Sequence, residues 1–186
     1  MDIELCKKVD LKSKRVAELL KLYADVLREL RSRDAVRSSN NPVGDYAELL
    51  FCNAFGWERK QNQSFKGIDA VHLEGTYQVK SRRVTAENPS PQSGIVKDSE
   101  KQPFDYFAAV VFKEDFSLLR AVIMPHAVFE RLRKFNKANQ GWFVMVSEDI
   151  FQEPGVLDVT ARLAEAAVAL DAILSHLSPD AGVAGT

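Results

Sequence analysis

Gly67-Ile68-Asp69-Ala70-Val71-His72-Leu73-Glu74-Gly75-Thr76-Tyr77-Gln78-Val79-Lys80-Ser81-Arg82 is the stretch whose pattern decides the fold. Two β-rich segments flank Glu74-Gly75, a pair suited to a two-residue turn, so a hairpin is predicted with strands over residues 68–73 and 76–82. With that turn Leu73 faces Thr76, Val71 faces Gln78 and Asp69 faces Lys80. Side chains alternate, so Asp69, Val71, Gln78, Lys80 and Arg82 share one side of the hairpin. Ile68, Ala70, Tyr77 and Val79 share the other with His72 and Ser81, and this side suits a core.

The first side collects a carboxylate, an amide and an ammonium. Together with the Val79 carbonyl these include hard oxygen donors of the kind Mg²⁺ prefers, its other positions going to water or phosphate. Lys80 is then placed to orient an attacking water or to neutralise charge growing on a scissile phosphate. The plain alternative is a cross-strand Asp–Lys contact worth about 0.2–1 kcal/mol.

Upstream, Tyr46, Leu49, Leu50 and Phe55 mark a helix ending near Gly56 and carrying Asp45 and Glu48 on one face. Asp45 in the first turn is favoured by the helix dipole alone. Glu48, set between Ala47 and Leu49, is an acid that needs a partner, and a metal ion supplies one.

Further out, Val16, Leu19, Leu20, Tyr23, Val26, Leu27 and Leu30 space out an amphipathic helix over residues 11–33. Downstream come a loop over residues 86–103 and strands over 106–112 and 118–124. A helix over 125–135, a short strand over 142–146 and an amphipathic helix over 159–177 complete the order. The loop, with Lys97 and Lys101, is expected to be functional or mobile. This order predicts an α/β domain with a central mixed sheet flanked by helices. It divides into an N-terminal packing or dimerisation helix (1–36), a core (37–157), a C-terminal helix (158–177) and a flexible tail (178–186).

Composition sets the outer bounds. With 186 residues, 46% hydrophobic, 9 Gly and 7 Pro, one folded domain is expected and collagen-like or low-complexity chains are excluded. Cys6 and Cys52 make no disulfide or zinc pattern, which suits a reducing cytoplasm. No basic-then-apolar leader and no run of 18 apolar residues is visible, so neither secretion nor membrane insertion is expected. Residues 1–140 carry 24 Lys/Arg and 19 Asp/Glu, net +5, while residues 141–186 carry one and seven, net −6. A basic body is compatible with a polyanion on one face.

Glu48 on a helix, Asp69 at a strand and, nine residues on, Gln78-Val79-Lys80 in the next strand resemble the core of the PD-(D/E)xK nuclease superfamily, the restriction-endonuclease-like fold. Pro42-Val43-Gly44-Asp45-Tyr46-Ala47-Glu48, Gly67-Ile68-Asp69-Ala70-Val71, Tyr77-Gln78-Val79-Lys80-Ser81-Arg82 and Phe104-Asp105-Tyr106 are also similar to a bacterial group of small proteins with that fold. The resemblance covers approximately residues 20–160. It implies a restriction-endonuclease-like core in which Glu48, Asp69, Gln78 and the Val79 carbonyl hold Mg²⁺, with Mn²⁺ substituting. Lys80 is by the same resemblance the catalytic lysine, and Asp45 supports Glu48. Gln78 stands where Glu or Asp is usual. Some superfamily nucleases with Gln there compensate through the helix acid, whereas in others a lost acid accompanies lost activity.

DNA is the implied partner, in a restriction or defence role, and Arg59, Lys60, Lys66, Arg82 and Arg83 bracket the site as backbone contacts. Asn62, Gln63 and Ser64 are further candidates, and Arg131, Arg133, Lys134 and Lys137 form a second basic cluster read chiefly as a solvated helix face. Cutting both strands requires two sites, which favours a homodimer through the first helix. His72 is expected to pack in the core, His126 to start a helix, and Trp57 and Trp142 to be core or rim residues. Two alternatives stay open: a nuclease-fold DNA-binding or regulatory module without turnover, and a scaffold with neither property.

Overall fold

Tyr106-Phe107-Ala108-Ala109-Val110-Val111-Phe112 has no polar side chain beyond one phenol to turn toward water, so it is stable only with both faces covered. In the computed structural model, which describes residues 10–60, 67–101 and 103–175, it is β4 (Tyr106–Phe112), inside a six-stranded mixed sheet. Its neighbours are β3 (Gly75–Arg83), parallel to it, and β5 (Leu118–Pro125), antiparallel. β2 (Ala70–His72) and then β1 (Glu58–Arg59) extend the sheet beyond β3, and β8 (Leu157–Asp158) extends it beyond β5, giving the order β1-β2-β3-β4-β5-β8.

Alternation along these strands builds two cores. Tyr77, Val79, Ala108, Val110 and Phe112 pack against α2 (Val43–Phe55) and α4 (Thr160–Ser175), meeting Ala47, Leu50, Phe51 and Leu163. Phe107, Ala109, Val111, Val122 and Met124 face the other way, toward Phe129 of α3 (His126–Leu132) and toward Val96, Phe104 and Val144. By parity Gln78, Lys80 and Arg82 belong to this second side. Fully burying each large apolar side chain contributes roughly 1.5–3 kcal/mol, which is why both faces must be sealed.

The second cover is supplied by the expected loop. Parallel neighbours need a long crossover connection, and here residues 84–105 are that connection. Ser93, Val96 and Ser99 are buried, Gln92 and Val96 bridge to Met145 and Trp142, and Ser99–Lys101 form a 3-10 turn. The loop is packed structure at these positions.

The hairpin register also differs from expectation. Ala70 pairs with Tyr77, Val71 with Thr76 and His72 with Gly75, so Leu73-Glu74 make the turn and Asp69 falls level with Gln78 instead of Lys80. Gly75 is needed elsewhere: its φ is 143° and a Cβ there would lie 2.7 Å from Asp105 Oδ2. That carboxylate accepts hydrogen bonds from Thr76 N and Oγ1, both 2.8 Å, tying the start of β3 to the start of β4. The slip is two residues, so the side chains keep their faces. His72 is exposed at the hairpin end, not packed in the core.

Helix 125–135 stops at Leu132, and β6 (Lys134–Asn136) pairs with β7 (Gly141–Phe143), so the second basic cluster is split between elements. His126 does begin α3, and Trp57 is buried in the first core. The first helix, α1 (Val16–Ser32), buries only Leu27, leaving Val16, Leu20, Tyr23 and Val26 exposed beside an open apolar cavity of about 910 Å³ between α1, α2 and α4. No helix among the described residues is long and apolar enough to cross a membrane.

Candidate active site

β3 runs on past the end of β2, so beyond Tyr77 its outer edge has no strand partner. Asp69 fills the gap. Its backbone N–H donates to Tyr77 O at 2.8 Å and its carbonyl accepts from Lys60 N at 3.0 Å, which fixes the residue between β1 and β3. Its Oδ2 accepts the Val79 N–H at 2.8 Å and the Gln78 side-chain amide, with Lys80 Nζ 4.0 Å away. Gln78 is buried, while Asp69 and Lys80 side chains are each 24% exposed. A Cβ on Gly94 would lie 3.1 Å from Lys80 Cδ, so the crossover loop packs along the lysine stem and leads its ammonium toward Asp69.

Glu48 approaches from α2, its side chain 16% exposed. Its Oε2 accepts from Arg59 Nε at 3.2 Å and from Arg37 Nη2. Burial and the Asp69 charge push the Glu48 carboxyl above its usual range, against the pull of Arg37 and Arg59. Burial also pushes the neighbouring Cys52 thiol up to about 11, which leaves it a protonated packing residue.

Asp45 sits behind this pair. Its Oδ2 accepts from Arg37 N, Ser38 N and Ser38 Oγ, all at 3.0 Å, and its Oδ1 lies 3.6 Å from Arg59 Nη2. Burial alone would raise its pKa, but the hydrogen bonds from Ser38 and Arg37 outweigh it and hold the carboxyl low. Asp45 thus positions the two arginines that grip Glu48.

The oxygens these contacts leave over are the ones that matter for a cation. No described residue donates to Asp69 Oδ1, Glu48 Oε1 or Gln78 Oε1. Two carboxylates, an amide oxygen and a backbone carbonyl fit Mg²⁺, which is commonly held by one or two carboxylates together with water and phosphate. Among the described residues no group of three or more His, Cys, Asp or Glu side chains could hold a metal, so any cation here relies on the acid pair and the neutral donors.

The expected phosphate contacts do not converge in the same way. Arg59 is turned inward onto Glu48 and the Asp45 carbonyl, 2.8 Å from its Nη2. Arg82 holds the crossover loop through Asn88 Oδ1 at 2.6 Å and Ser90 O at 3.3 Å. Arg83 projects to the opposite sheet face, its Cζ 4.8 Å from the Phe116 ring centre. Lys60 is half-buried at the end of β1, and Lys66 with Asn62, Gln63 and Ser64 lies outside the described residues. Sequence reasoning missed Arg37, Ser38 and Gly94. None belongs to a periodic segment, and their contacts span 7 to 23 residues, so no local pattern marked them. No protein-family model and no curated protein matches this chain.

Proposed function

We propose that the chain is a Mg²⁺-dependent DNA endonuclease with a restriction-endonuclease-like core, acting in the cytoplasm in a restriction or defence role. The observation that carries this reading is Asp69 held on the β3 edge with Gln78, Val79 and Lys80, its charge helping burial to raise the Glu48 carboxyl on α2. Glu48, Asp69, Gln78 and the Val79 carbonyl are the residues to hold Mg²⁺ or Mn²⁺, and the bound ion supplies Lewis-acid polarisation of the phosphodiester. Lys80, with its Nζ 4.0 Å from Asp69, offsets charge growing on the phosphate during attack by water. Asp45 keeps the Glu48 environment in place.

Cleavage of a duplex calls for two such sites. A second copy covering the exposed apolar stripe of α1 meets that need.

Plasmid nicking or linearisation with Mg²⁺ and with Mn²⁺ tests the enzyme reading. Activity in the parent that falls at least about 100-fold in Lys80→Ala and Asp69→Ala supports it. The second reading, a DNA-binding module without turnover, is favoured by the neutral Gln78 and the two arginines on Glu48. It predicts salt-sensitive DNA retention with no cleavage under any metal.

A further inference from the structure

The acid cluster is electrically balanced before any ligand arrives. Asp45, Glu48 and Asp69 are matched by Arg37, Arg59 and Lys80, and both arginines meet Glu48 at the same oxygen. One guanidinium would satisfy a carboxylate; the second leaves the site with no charge deficit for a cation to fill.

The two arginines are not held alike. Arg59 is 16% exposed and anchored twice more on Asp45, through the carbonyl and Oδ1. Arg37 is 38% exposed. Its backbone N–H is pinned by Asp45 Oδ2, while its guanidinium reaches Glu48, the Lys60 carbonyl at 2.7 Å and, at 3.8 Å, Asp45 Oδ1. A fixed Cα with the more exposed side chain makes Arg37 the freer of the two to pivot. Its planar fork suits a phosphate, a partner the half-buried Arg59 cannot reach without giving up its contacts to Asp45.

We propose that Arg37 is a ligand for the DNA phosphate that rests on Glu48 until substrate arrives, so that divalent-cation binding and DNA binding depend on each other. The inference builds on the nuclease reading. A dication entering the neutral cluster is repelled by Arg37; a phosphodiester both draws Arg37 off Glu48 and adds negative charge. Each ligand therefore lowers the other's cost of entry, and linkage requires the two enhancements to be equal.

Mn²⁺ titration followed by electron paramagnetic resonance reads this without relying on turnover, on protein alone and with a saturating short duplex. The parent is expected to bind Mn²⁺ at least about 10-fold more tightly with DNA than without, within the range of ordinary coupling. Arg37→Gln raises Mn²⁺ affinity in the absence of DNA, loses the DNA enhancement, and lowers the salt slope of DNA binding by about one. Arg37→Ala, checked for folding by circular dichroism, repeats the result without the Gln amide. The proposal is overturned if both variants keep the parent's Mn²⁺ affinity, enhancement and salt slope while Glu48→Gln abolishes Mn²⁺ binding. Absence of Mn²⁺ binding in every protein, with and without DNA, sinks the nuclease reading and this inference with it.

Discussion

Two polar networks touch the crossover between β3 and β4, one through Lys80 at Gly94 and one at Ser99 and Glu100, and they serve different purposes. In the first, burial and the Asp69 charge raise the Glu48 carboxyl, and each of these two carboxylates keeps one oxygen without a described donor. In the second, Arg133 pairs with Glu130 at 2.6 Å, donates to the buried Ser99 hydroxyl and lies 3.8 Å over the Trp142 ring. His126 Nε2 meets Ser99 O at 3.1 Å, and Trp142 Nε1 donates to Glu100 at 3.0 Å. The second network fastens the crossover loop to α3 and β7. The first leaves acceptors on two like-charged carboxylates, which suits a ligand, whereas the second's unpaired acceptor, Glu130 Oε1, is buried.

The contrast predicts a division between stability and chemistry. Arg133→Ala should have the largest effect on folding, about 1.5–3 kcal/mol in urea unfolding, because it removes the partner of Glu130 and Ser99 and uncovers Trp142. Lys80→Ala, which removes only a half-buried contact at 4.0 Å, should cost within about 1 kcal/mol while removing cleavage. Equal stability losses in the two would erase the distinction.

Asp45→Asn probes the boundary between the networks' roles. Its native carboxyl titrates below the ordinary aspartate value of 3.8, so it stabilises the fold above that range. That contribution is lost as pH falls through the depressed native value. At pH 7 the variant should be less stable by about 1–3 kcal/mol, and the gap should close on acidification below pH 3.8. A gap independent of pH would show that packing, not the ionised carboxylate, holds Arg37 and Ser38.

The smallest effect on stability belongs to Leu20→Glu on the exposed stripe of α1, within about 0.5 kcal/mol. Light scattering after size exclusion should nevertheless show a dimer in the parent and a monomer in the variant. An unchanged mass would remove the second copy from the functional reading.

Legibility followed sequence distance. The apolar run of β4, the α2 stop at Gly56 and the face shared by Asp69, Gln78 and Lys80 were readable because periodicity and turn chemistry act over a few residues. The hairpin register was misread because Gly75 answers to Asp105, thirty residues away, and no local rule distinguishes that demand from a turn. The two-residue strands β1 and β8 were invisible for the same reason: they are held by ladders formed only once the sheet exists.

By itself, then, the chain's covalent order determined the mixed α/β architecture, the sidedness of the hairpin and the acids that share it, since side-chain alternation survives even a two-residue slip. Only the tertiary structure decided that Arg37 and Arg59 converge on one oxygen of Glu48, that Arg82 and Arg83 part to different faces, and that the Pro-containing loop becomes a packed cover. These outcomes depend on where separate elements dock, and burial and charge are properties of that assembled surface, not of any neighbourhood in sequence.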